Sequence, residues 1–107
     1  MHSAADLVFK TLADPTRRSI YERLARHGEQ NVRLLTDFAG VSQPAVSKHL
    51  AALKLAGLVR DRHEGREAHY SAEPKGIAPL IDWMSHYAAF RRDRFGRLET
   101  QLNRMDQ

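Results

Sequence analysis

The sequence predicts a mainly α-helical domain with one small β-hairpin, and three observations support this fold class. Apolar residues recur at helical spacing through the first half of the chain, between breaks made by Asp-Pro and Gly. After Gly57, two short segments flank a turn that contains Gly65, which is typical of a hairpin. From Ile77 almost to the end, there is no internal helix breaker except Gly96, so a long last helix is expected.

Composition limits the chain to one domain with one modest core. Its 107 residues are 42% hydrophobic and 28% charged, the ordinary mixture of a globular protein. Seventeen Lys and Arg against thirteen Asp and Glu give a net charge of +4, which favours a polyanionic partner. Cysteine is absent, which excludes disulfide frameworks, thiol catalysis and zinc sites built on cysteine.

The location of the protein is predicted from what its sequence lacks. No segment approaches the roughly 20 apolar residues of a membrane span. The first residues lack the basic region and the apolar run of a signal peptide. We therefore expect a cytoplasmic protein without a membrane partner.

The first two helices are predicted from apolar spacing and from end signals. A short helix is expected over about residues 4–12. Its apolar residues at helical spacing are Leu7, Val8 and Leu12. Asp14 is placed to cap a second helix that begins at Pro15, where the missing N–H costs nothing. This helix is expected to end at about His27, before Gly28, because glycine is favoured just past a helix end.

A glycine-valine-serine step then joins two short amphipathic helices, which is how a helix-turn-helix turn is built. The helix before it, over about residues 32–39, is expected to bury Leu34, Leu35 and Phe38. Gly40 can end that helix in the left-handed conformation, and Val41 is expected to fill the angle between the two helices.

Ser42 is placed to cap the helix after the turn, which is expected from Gln43 to Ala56. Because Pro44 has no N–H, the Ser42 hydroxyl should accept its hydrogen bond from the N–H of Ala45. The stripe predicted to be buried consists of Val46, Leu50 and Leu53. Leu55 fits neither face, and we expect another part of the fold to cover it.

The other faces of this helix carry small or hydrogen-bonding side chains, which let its backbone approach a DNA groove. These residues are Gln43, Pro44, Ser47, Lys48, Ala51 and Lys54, with His49 at the margin. A major groove about 12 Å wide admits an α-helix whose N-terminal turn contacts the bases. Gln43, Ser47 and Lys48 suit hydrogen bonds to base edges or phosphates. The alternative is a helical hairpin that only packs within its own domain.

The predicted hairpin brings arginines next to this helix. Its strands, over about residues 58–63 and 67–72, flank a turn in which Gly65 permits tight bending. The arginines near its strands and tip are Arg60, Arg62 and Arg66. Beside a recognition helix, such a hairpin acts as a wing that contacts phosphates or the minor groove. The alternative is a solvated hairpin whose arginines are balanced by Asp61, Glu64 and Glu67.

Three blocks of the chain together closely resemble the ArsR family of winged helix-turn-helix repressors, the family of arsenic and zinc sensors. The blocks are residues 12–18 (LADPTRR), 41–53 (VSQPAVSKHLAAL) and 56–59 (AGLV), and residues 62–67 with Tyr70 match that family's wing. The resemblance covers nearly the whole chain. It implies a homodimeric bacterial repressor that leaves its operator when an effector binds.

On the matched positions, the resemblance implies two DNA-contacting elements. The recognition helix would contribute Ser42, Gln43, Pro44, Ser47, Lys48 and His49. The wing would contribute Arg62, Gly65 and Arg66, whereas Tyr70 would pack the wing. Phosphate contacts are expected from Lys48, Lys54, Arg60, Arg62 and Arg66. The helix-turn-helix would span about residues 32–56 and the wing about residues 58–72.

The last helix, expected over about residues 77–105, carries a seam typical of a helix that pairs with another. The seam residues are Ile81, Met84, Ala88, Arg91, Phe95, Leu98, Leu102 and Met105. A helix of roughly 25 residues spans about 37 Å, more than so small a domain covers, so part of it should meet a partner. The resemblance adds the first helix, with Leu7, Val8 and Leu12, to the same dimer interface.

Metal binding and catalysis are not predicted. The family's thiolate motif falls on residues 32–38, which hold no cysteine. Asp82 and His86 are four residues apart, but zinc takes about four ligands, so we expect only a hydrogen-bonded pair there. His63, Glu64 and His69 are interpreted as DNA-facing or solvated. We therefore expect no metal, no cofactor and no enzymatic activity.

Two alternative functions remain open at this point: a winged-helix module for protein interaction, and a metal-responsive repressor with a non-standard site. The first is disfavoured because the recognition helix offers Gln43, Ser47 and Lys48 instead of aromatic residues. The sequence does not identify a small-molecule effector. A regulator of this kind would act in the bacterial cytoplasm and associate with the nucleoid when bound to DNA.

Overall fold

The computed structural model describes residues 3–94 and contains the helices and the hairpin that the sequence predicts. The helices are α1 (Ala4–Leu12), α2 (Pro15–His27), α3 (Val32–Ala39), α4 (Gln43–Leu55) and α5 (Ala78–Ser85). The strands are β1 (Gln30–Asn31), β2 (Val59–Glu64) and β3 (Glu67–Ala72), and a 3₁₀ turn covers Pro74–Ile77. The bounds of α2 and α3 are those predicted, and α4 ends one residue earlier than predicted.

The helix ends are set by short polar side chains. Asp14 accepts a hydrogen bond from the N–H of Thr16 at 3.1 Å, and Ser42 accepts one from the N–H of Ala45 at 3.3 Å. The expected capping partner of Ser42 is therefore confirmed. Ser3 and Asp6 form a reciprocal capping box at the start of α1. These caps satisfy N–H groups that have no partner inside their helix.

Two arginines of α2 bind the end of α1. The Arg17 guanidinium donates to the carbonyl oxygen of Thr11 at 3.3 Å, and that of Arg18 donates to the carbonyl oxygen of Leu12 at 2.9 Å. Because the last carbonyls of a helix lack partners within it, these bonds fix the angle at which α1 meets α2.

The core lies between α2, α3, α4 and the base of the hairpin. Its buried apolar residues are Val8, Ile20, Leu24, Leu35, Val46, Leu50, Leu53, Leu58 and Val59. The predicted stripe of α4 is confirmed, since Val46, Leu50 and Leu53 are fully buried. Val8 is 1% exposed, so it belongs to the core of its own protomer and not to an exposed interface.

Several apolar residues that were expected to be covered lie at the surface. Leu34 and Phe38 of α3 are 46% and 43% exposed, because the core meets this helix through Leu35. The Arg23 guanidinium lies 4.9 Å from the centre of the Phe38 ring and covers part of it. Val41 also lies at the surface, and Leu55 is 82% exposed, so the expectation that the fold covers Leu55 is wrong.

The hairpin is part of a three-stranded antiparallel sheet in the order β1-β3-β2. The pairing of Glu64 with Glu67 leaves Gly65 and Arg66 as a two-residue loop. Gly65 has a φ of 61°, which a type II′ turn requires at this position. Strand β1 was missed in the sequence because it has only two residues, both polar, and pairs with a partner about 40 positions away.

The last predicted helix starts differently and is interrupted. The segment from residue 77 begins within the 3₁₀ turn, α5 ends at Ser85, residues 86 and 87 form a turn, and residues 88–94 are helical again. The Ser85 hydroxyl and the His86 ring both bond the carbonyl oxygen of Asp82, at 2.7 and 2.8 Å, and compete for that acceptor with the helix backbone. The seam residues Phe95, Leu98, Leu102 and Met105 lie outside the described residues.

We predict that Gly76→Ala destabilises the domain more than Gly28→Ala. A Cβ at Gly76 would lie 2.8 Å from the carbonyl carbon of Gly57 and 2.9 Å from the Cα of Leu58. That backbone closes α4, because the N–H groups of Gly57 and Leu58 bond the carbonyl oxygens of Lys54 and Leu53.

Gly28→Ala is the control, because Gly28 has a φ of 81° with open space around it. Its φ of 81° and ψ of −164° lie in a region that essentially only glycine adopts, so that change should cost about 1–3 kcal/mol. Urea unfolding of both variants at one protein concentration measures the difference, and equal losses would contradict the prediction.

Candidate nucleic-acid interface

The rotation of α4 about its axis decides which of its residues are exposed. Its buried stripe faces α2 and α3, so Gln43, Ser47 and Lys48 lie at the surface. Gly40 has a φ of 68° and its N–H bonds the carbonyl oxygen of Thr36 at 3.2 Å, which ends α3 and turns the chain into α4. The Ser42 hydroxyl is used for capping, and the first turn of α4 is open to solvent.

A groove runs between the first turn of α4, the start of α3 and the loop of the hairpin. It is lined by Asn31, Val32, Arg33, Gln43, Ser47, Arg66, Glu67 and Ala68. Gln43 and Ser47 therefore share a surface with Arg66, although they lie about 20 positions apart in the chain. Hydrogen-bonding side chains next to two arginines are the combination that base edges and phosphates require.

Arg33 is the one basic residue of this groove that sequence reasoning missed. It lies in the first turn of α3, directly after β1. Because β1 was not predicted, nothing in the sequence indicated that the start of α3 lies beside the hairpin loop. Among residues 3–94, neither Arg33, Lys48 nor Arg66 has a carboxylate within ion-pair distance.

Other basic residues that were expected to contact phosphate are engaged by carboxylates. The Lys54 ammonium lies 2.9 Å from Asp61, and their hydrogen bond lowers the pKa of Asp61 and raises the pKa of Lys54. Arg60 donates to the hydroxyl of Ser71 at 3.3 Å and lies 3.7 Å from Glu73. These contacts hold both cations against the base of the hairpin.

Arg62 is also engaged within the protein. It lies 2.7 Å from Glu29 and 3.0 Å from Glu64, and the hydrogen bonds from Arg62 lower the pKa of Glu29. Glu29 stands 33 positions away in the chain, so the sequence pattern that suggested a phosphate contact gave no sign of this partner.

His49 does not lie on the exposed face of α4. Its side chain is 18% exposed and turns toward the start of α2, where its Nδ1 lies 3.9 Å from the carboxylate of Asp14. His49 stands three positions from Val46 and four from Leu53, both of which are in the core, so its ring lies at the edge of the buried face. His49 is therefore a residue of the α2–α4 contact.

Of the hairpin histidines, which were expected to face DNA or solvent, His63 is exposed to solvent and His69 is largely covered. His63 lies 3.3 Å from Asp61, and His69 lies 3.5 Å from Glu67 and 3.9 Å from Glu29. Near residue 86, the expected Asp82–His86 pair forms through the backbone oxygen of Asp82 and not through its carboxylate. Within the described range 3–94, no three His, Asp or Glu side chains are grouped as metal ligands.

A second exposed surface lies on α1, α5 and residues 86–94. Its large apolar residues, between 40% and 58% exposed, are Leu7, Phe9, Ile81, Trp83, Met84, Tyr87 and Phe90. The rings of Phe9 and Trp83 meet edge to face at 5.1 Å, so both helices share this surface. Of the other expected interface residues, Leu12 and Ala88 are half-buried and Arg91 is exposed. We call the surface formed by the seven large exposed apolar residues the α1–α5 surface.

No helix within residues 3–94 combines the length and apolar character that crossing a membrane requires.

Comparison with known proteins identifies the family. A family model described as a helix-turn-helix domain matches residues 12–62. An HTH-type transcriptional regulator of Mycobacterium tuberculosis is 47% identical over 79 residues, which are 74% of this chain and 73% of that protein. The arsenic resistance regulator ArsR1 of Pseudomonas putida is 44% identical over 78 residues, which are 73% of this chain and 60% of that protein. The transcriptional repressor SdpR of Bacillus subtilis is 32% identical over 80 residues, 75% of this chain and 88% of that protein.

Solved structures agree with these relatives. An ArsR-like transcriptional regulator from Rhodococcus superposes with a TM-score of 0.70 at 30% identity, covering 91% of both chains. The homodimeric winged helix-turn-helix DNA-binding domain of a possible ArsR-family regulator from Mycobacterium bovis gives 0.64 at 30% identity, covering 85% of this chain and 83% of that one. The winged helix-turn-helix fold is thus the one predicted from the sequence, and the chain belongs to the ArsR family of winged helix-turn-helix transcriptional regulators, which are not enzymes.

Proposed function

We propose that this regulator is a homodimeric repressor that binds an inverted-repeat operator in double-stranded DNA. The groove that brings Gln43 and Ser47 of α4 next to Arg33 and Arg66 carries this proposal. A helix that presents its first turn beside two arginines fits a major groove flanked by phosphates.

Within this surface, the polar side chains and the cations have different tasks. Gln43 and Ser47 contact base edges, because both donate and accept hydrogen bonds. Arg33, Lys48 and Arg66 contact phosphates, helped by the positive end of the α4 dipole. Lys54 and Arg60 contribute less, because each already has a carboxylate neighbour. Ser42, Pro44 and Gly65 let the backbone of α4 and of the loop approach the DNA closely.

The α1–α5 surface supports the homodimer. Exposed apolar residues on this scale mark an interaction site, and a domain this small gains stability by covering them. The related domain from Mycobacterium bovis is a homodimer. In a symmetric dimer, two recognition helices about 34 Å apart enter successive major grooves on one side of the duplex.

The relatives support repression and action in a bacterial cell. SdpR of Bacillus subtilis and the arsenical resistance protein of Escherichia coli are both named repressors. We place the protein in the bacterial cytoplasm, associated with the nucleoid while it is bound to DNA. An effector bound through thiolates does not fit, because the 107 residues contain no cysteine.

We predict that Gln43→Ala and Ser47→Ala reduce sequence preference, whereas Arg66→Ala weakens binding to every duplex. Loss of one base contact lowers discrimination against the wrong base by about 5-fold to 150-fold. Loss of a phosphate contact lowers the dependence of log K on log salt by about 0.9. Anisotropy titrations at several salt concentrations, on a duplex selected by the wild-type protein and on its scrambled version, measure both effects.

Arg26→Ala is the matched control for Arg66→Ala. Arg26 is an exposed arginine of α2 that lines a different pocket, with Phe38, so its removal changes the net charge equally but not the proposed DNA surface. Similar losses for Arg26→Ala and Arg66→Ala would contradict the phosphate contact. Equal losses on both duplexes for all three groove variants would contradict the division of tasks.

We predict that Met84→Asp converts the dimer to a monomer, whereas Leu55→Asp leaves it intact. Both side chains are exposed in the single protomer, so neither change disturbs the core. Only Met84 lies on the α1–α5 surface, where a carboxylate would be desolvated without a partner. Sedimentation velocity distinguishes the two states. A Met84→Asp protein that remains dimeric would place the interface elsewhere.

A further inference from the structure

The side chain of Arg62 lies on the face of the three-stranded sheet that points away from the core. Val59 and Tyr70 pack against the core, and alternate residues of a strand point to opposite faces. Arg62 is three positions from Val59, and it pairs with His69, the neighbour of Tyr70. The side chain of Arg62 therefore lies on the outer face of the sheet, opposite to the face that packs against α4.

On this outer face, carboxylates engage all three nitrogens of the Arg62 guanidinium. Its Nε lies 3.1 and 3.0 Å from the two carboxylate oxygens of Glu29, and its Nη2 lies 2.7 Å from one of them. Its Nη1 donates to Glu64 at 3.0 Å. Exposed ion pairs usually contribute little, and bidentate arginine–carboxylate networks are the exception. We call Glu29, Arg62 and Glu64 the wing clamp.

The clamp spans the whole width of the sheet. Glu29 directly precedes β1, Arg62 lies in β2, and β3 runs between them. His69 of β3 lies beside the contact between Arg62 and Glu29, with its Nδ1 3.9 Å from the Glu29 carboxylate. One side-chain contact thus joins both edges of a three-stranded sheet, one of which is only two residues long.

Strand β1 connects the clamp to the DNA surface. Its last residue, Asn31, caps α3 by accepting a hydrogen bond from the N–H of Leu34 at 2.8 Å. Arg33 follows in the first turn of α3, and Arg66 lies at the tip of the hairpin. Because β1 pairs with β3, the position of the sheet sets the separation between these two arginines.

From this arrangement we infer that Arg62 is a positioning residue, which holds the wing so that Arg66 meets the DNA beside Arg33, and does not itself contact phosphate. The inference rests on the proposed function. It differs from the role that the sequence pattern suggests, in which the charge of Arg62 neutralises a phosphate.

Arg62→Lys separates the two roles. Lysine keeps the positive charge, so a phosphate contact would largely survive, but it cannot form the planar fork that binds Glu29 and Glu64 together. Arg60→Lys is the matched control, because Arg60 lies on the same strand and face, but its contacts are one hydrogen bond to Ser71 and one ion pair with Glu73 at 3.7 Å, and it binds no carboxylate through two nitrogens. Glu29→Gln removes the negative charge that binds Arg62 in the wing clamp and leaves every arginine in place.

Two measurements on the full chain test the inference. Hydrogen exchange of the β1 and β3 amides, without DNA, should become about twofold to fivefold faster in Arg62→Lys and Glu29→Gln, and stay unchanged in Arg60→Lys. Affinity for the selected duplex should fall by a similar factor in both clamp variants, with an unchanged salt dependence. The double variant should be no worse than either single one, because both changes remove the same contact.

Two results would overturn the inference. If Arg62→Lys leaves exchange and affinity unchanged, while Arg62→Ala lowers the salt dependence by about 0.9, Arg62 is a phosphate contact. If Glu29→Gln strengthens binding, Glu29 restrains a DNA-binding arginine. Faster exchange in the clamp variants, combined with a wild-type protein that prefers no duplex sequence, would instead reject the proposed function together with the DNA role of the clamp.

Discussion

Burial of one apolar stripe on α4 is the constraint on which the DNA surface depends. Val46, Leu50 and Leu53 have no exposed surface, so α4 cannot rotate about its axis without exposing one of them. Each fully buried side chain of this size contributes about 1.5–3 kcal/mol to the stability of the fold, and all three contributions oppose a rotation of the helix. The hydrophobic core therefore decides that Gln43 and Ser47 face outward, and the caps at Asp14 and Ser42 decide where α2 and α4 begin.

Ion pairs on the hairpin are the second constraint, because they engage some of its basic residues and leave others without a carboxylate neighbour among the described residues. Of the basic residues on α4 and the hairpin, Lys54, Arg60 and Arg62 are each held by a carboxylate, whereas Lys48 and Arg66 have none within residues 3–94. The protein thus separates cations that shape the wing from cations that are available to a phosphate. The net charge of +4 does not distinguish these two groups of cations, and attraction to DNA depends on where the cations without a carboxylate neighbour lie.

Local signals were sufficient for most of the fold, and contacts across long sequence separations were not. The caps and breakers gave the bounds of α2 and α3 because their physics is confined to neighbouring residues. The partner of Arg62, by contrast, stands 33 positions away, and β1 has too few residues for any pattern. The sequence pattern does not predict the break after Ser85, because hydrogen bonds to the Asp82 carbonyl do not change the spacing of the apolar residues. Apolar spacing predicts burial of Leu34 and Phe38 because it identifies an apolar face but not how much of that face the fold covers.

The central claim is that two copies of α4 bind one operator in successive major grooves. Selection of bound sequences from a library of random duplexes tests it without assuming any operator sequence. Our account predicts enrichment of an inverted repeat whose half-sites have centres about 10 base pairs apart. Enrichment of a single unrepeated half-site would contradict the dimeric arrangement. A pool that shows no sequence preference after repeated rounds would contradict base contact by α4 altogether.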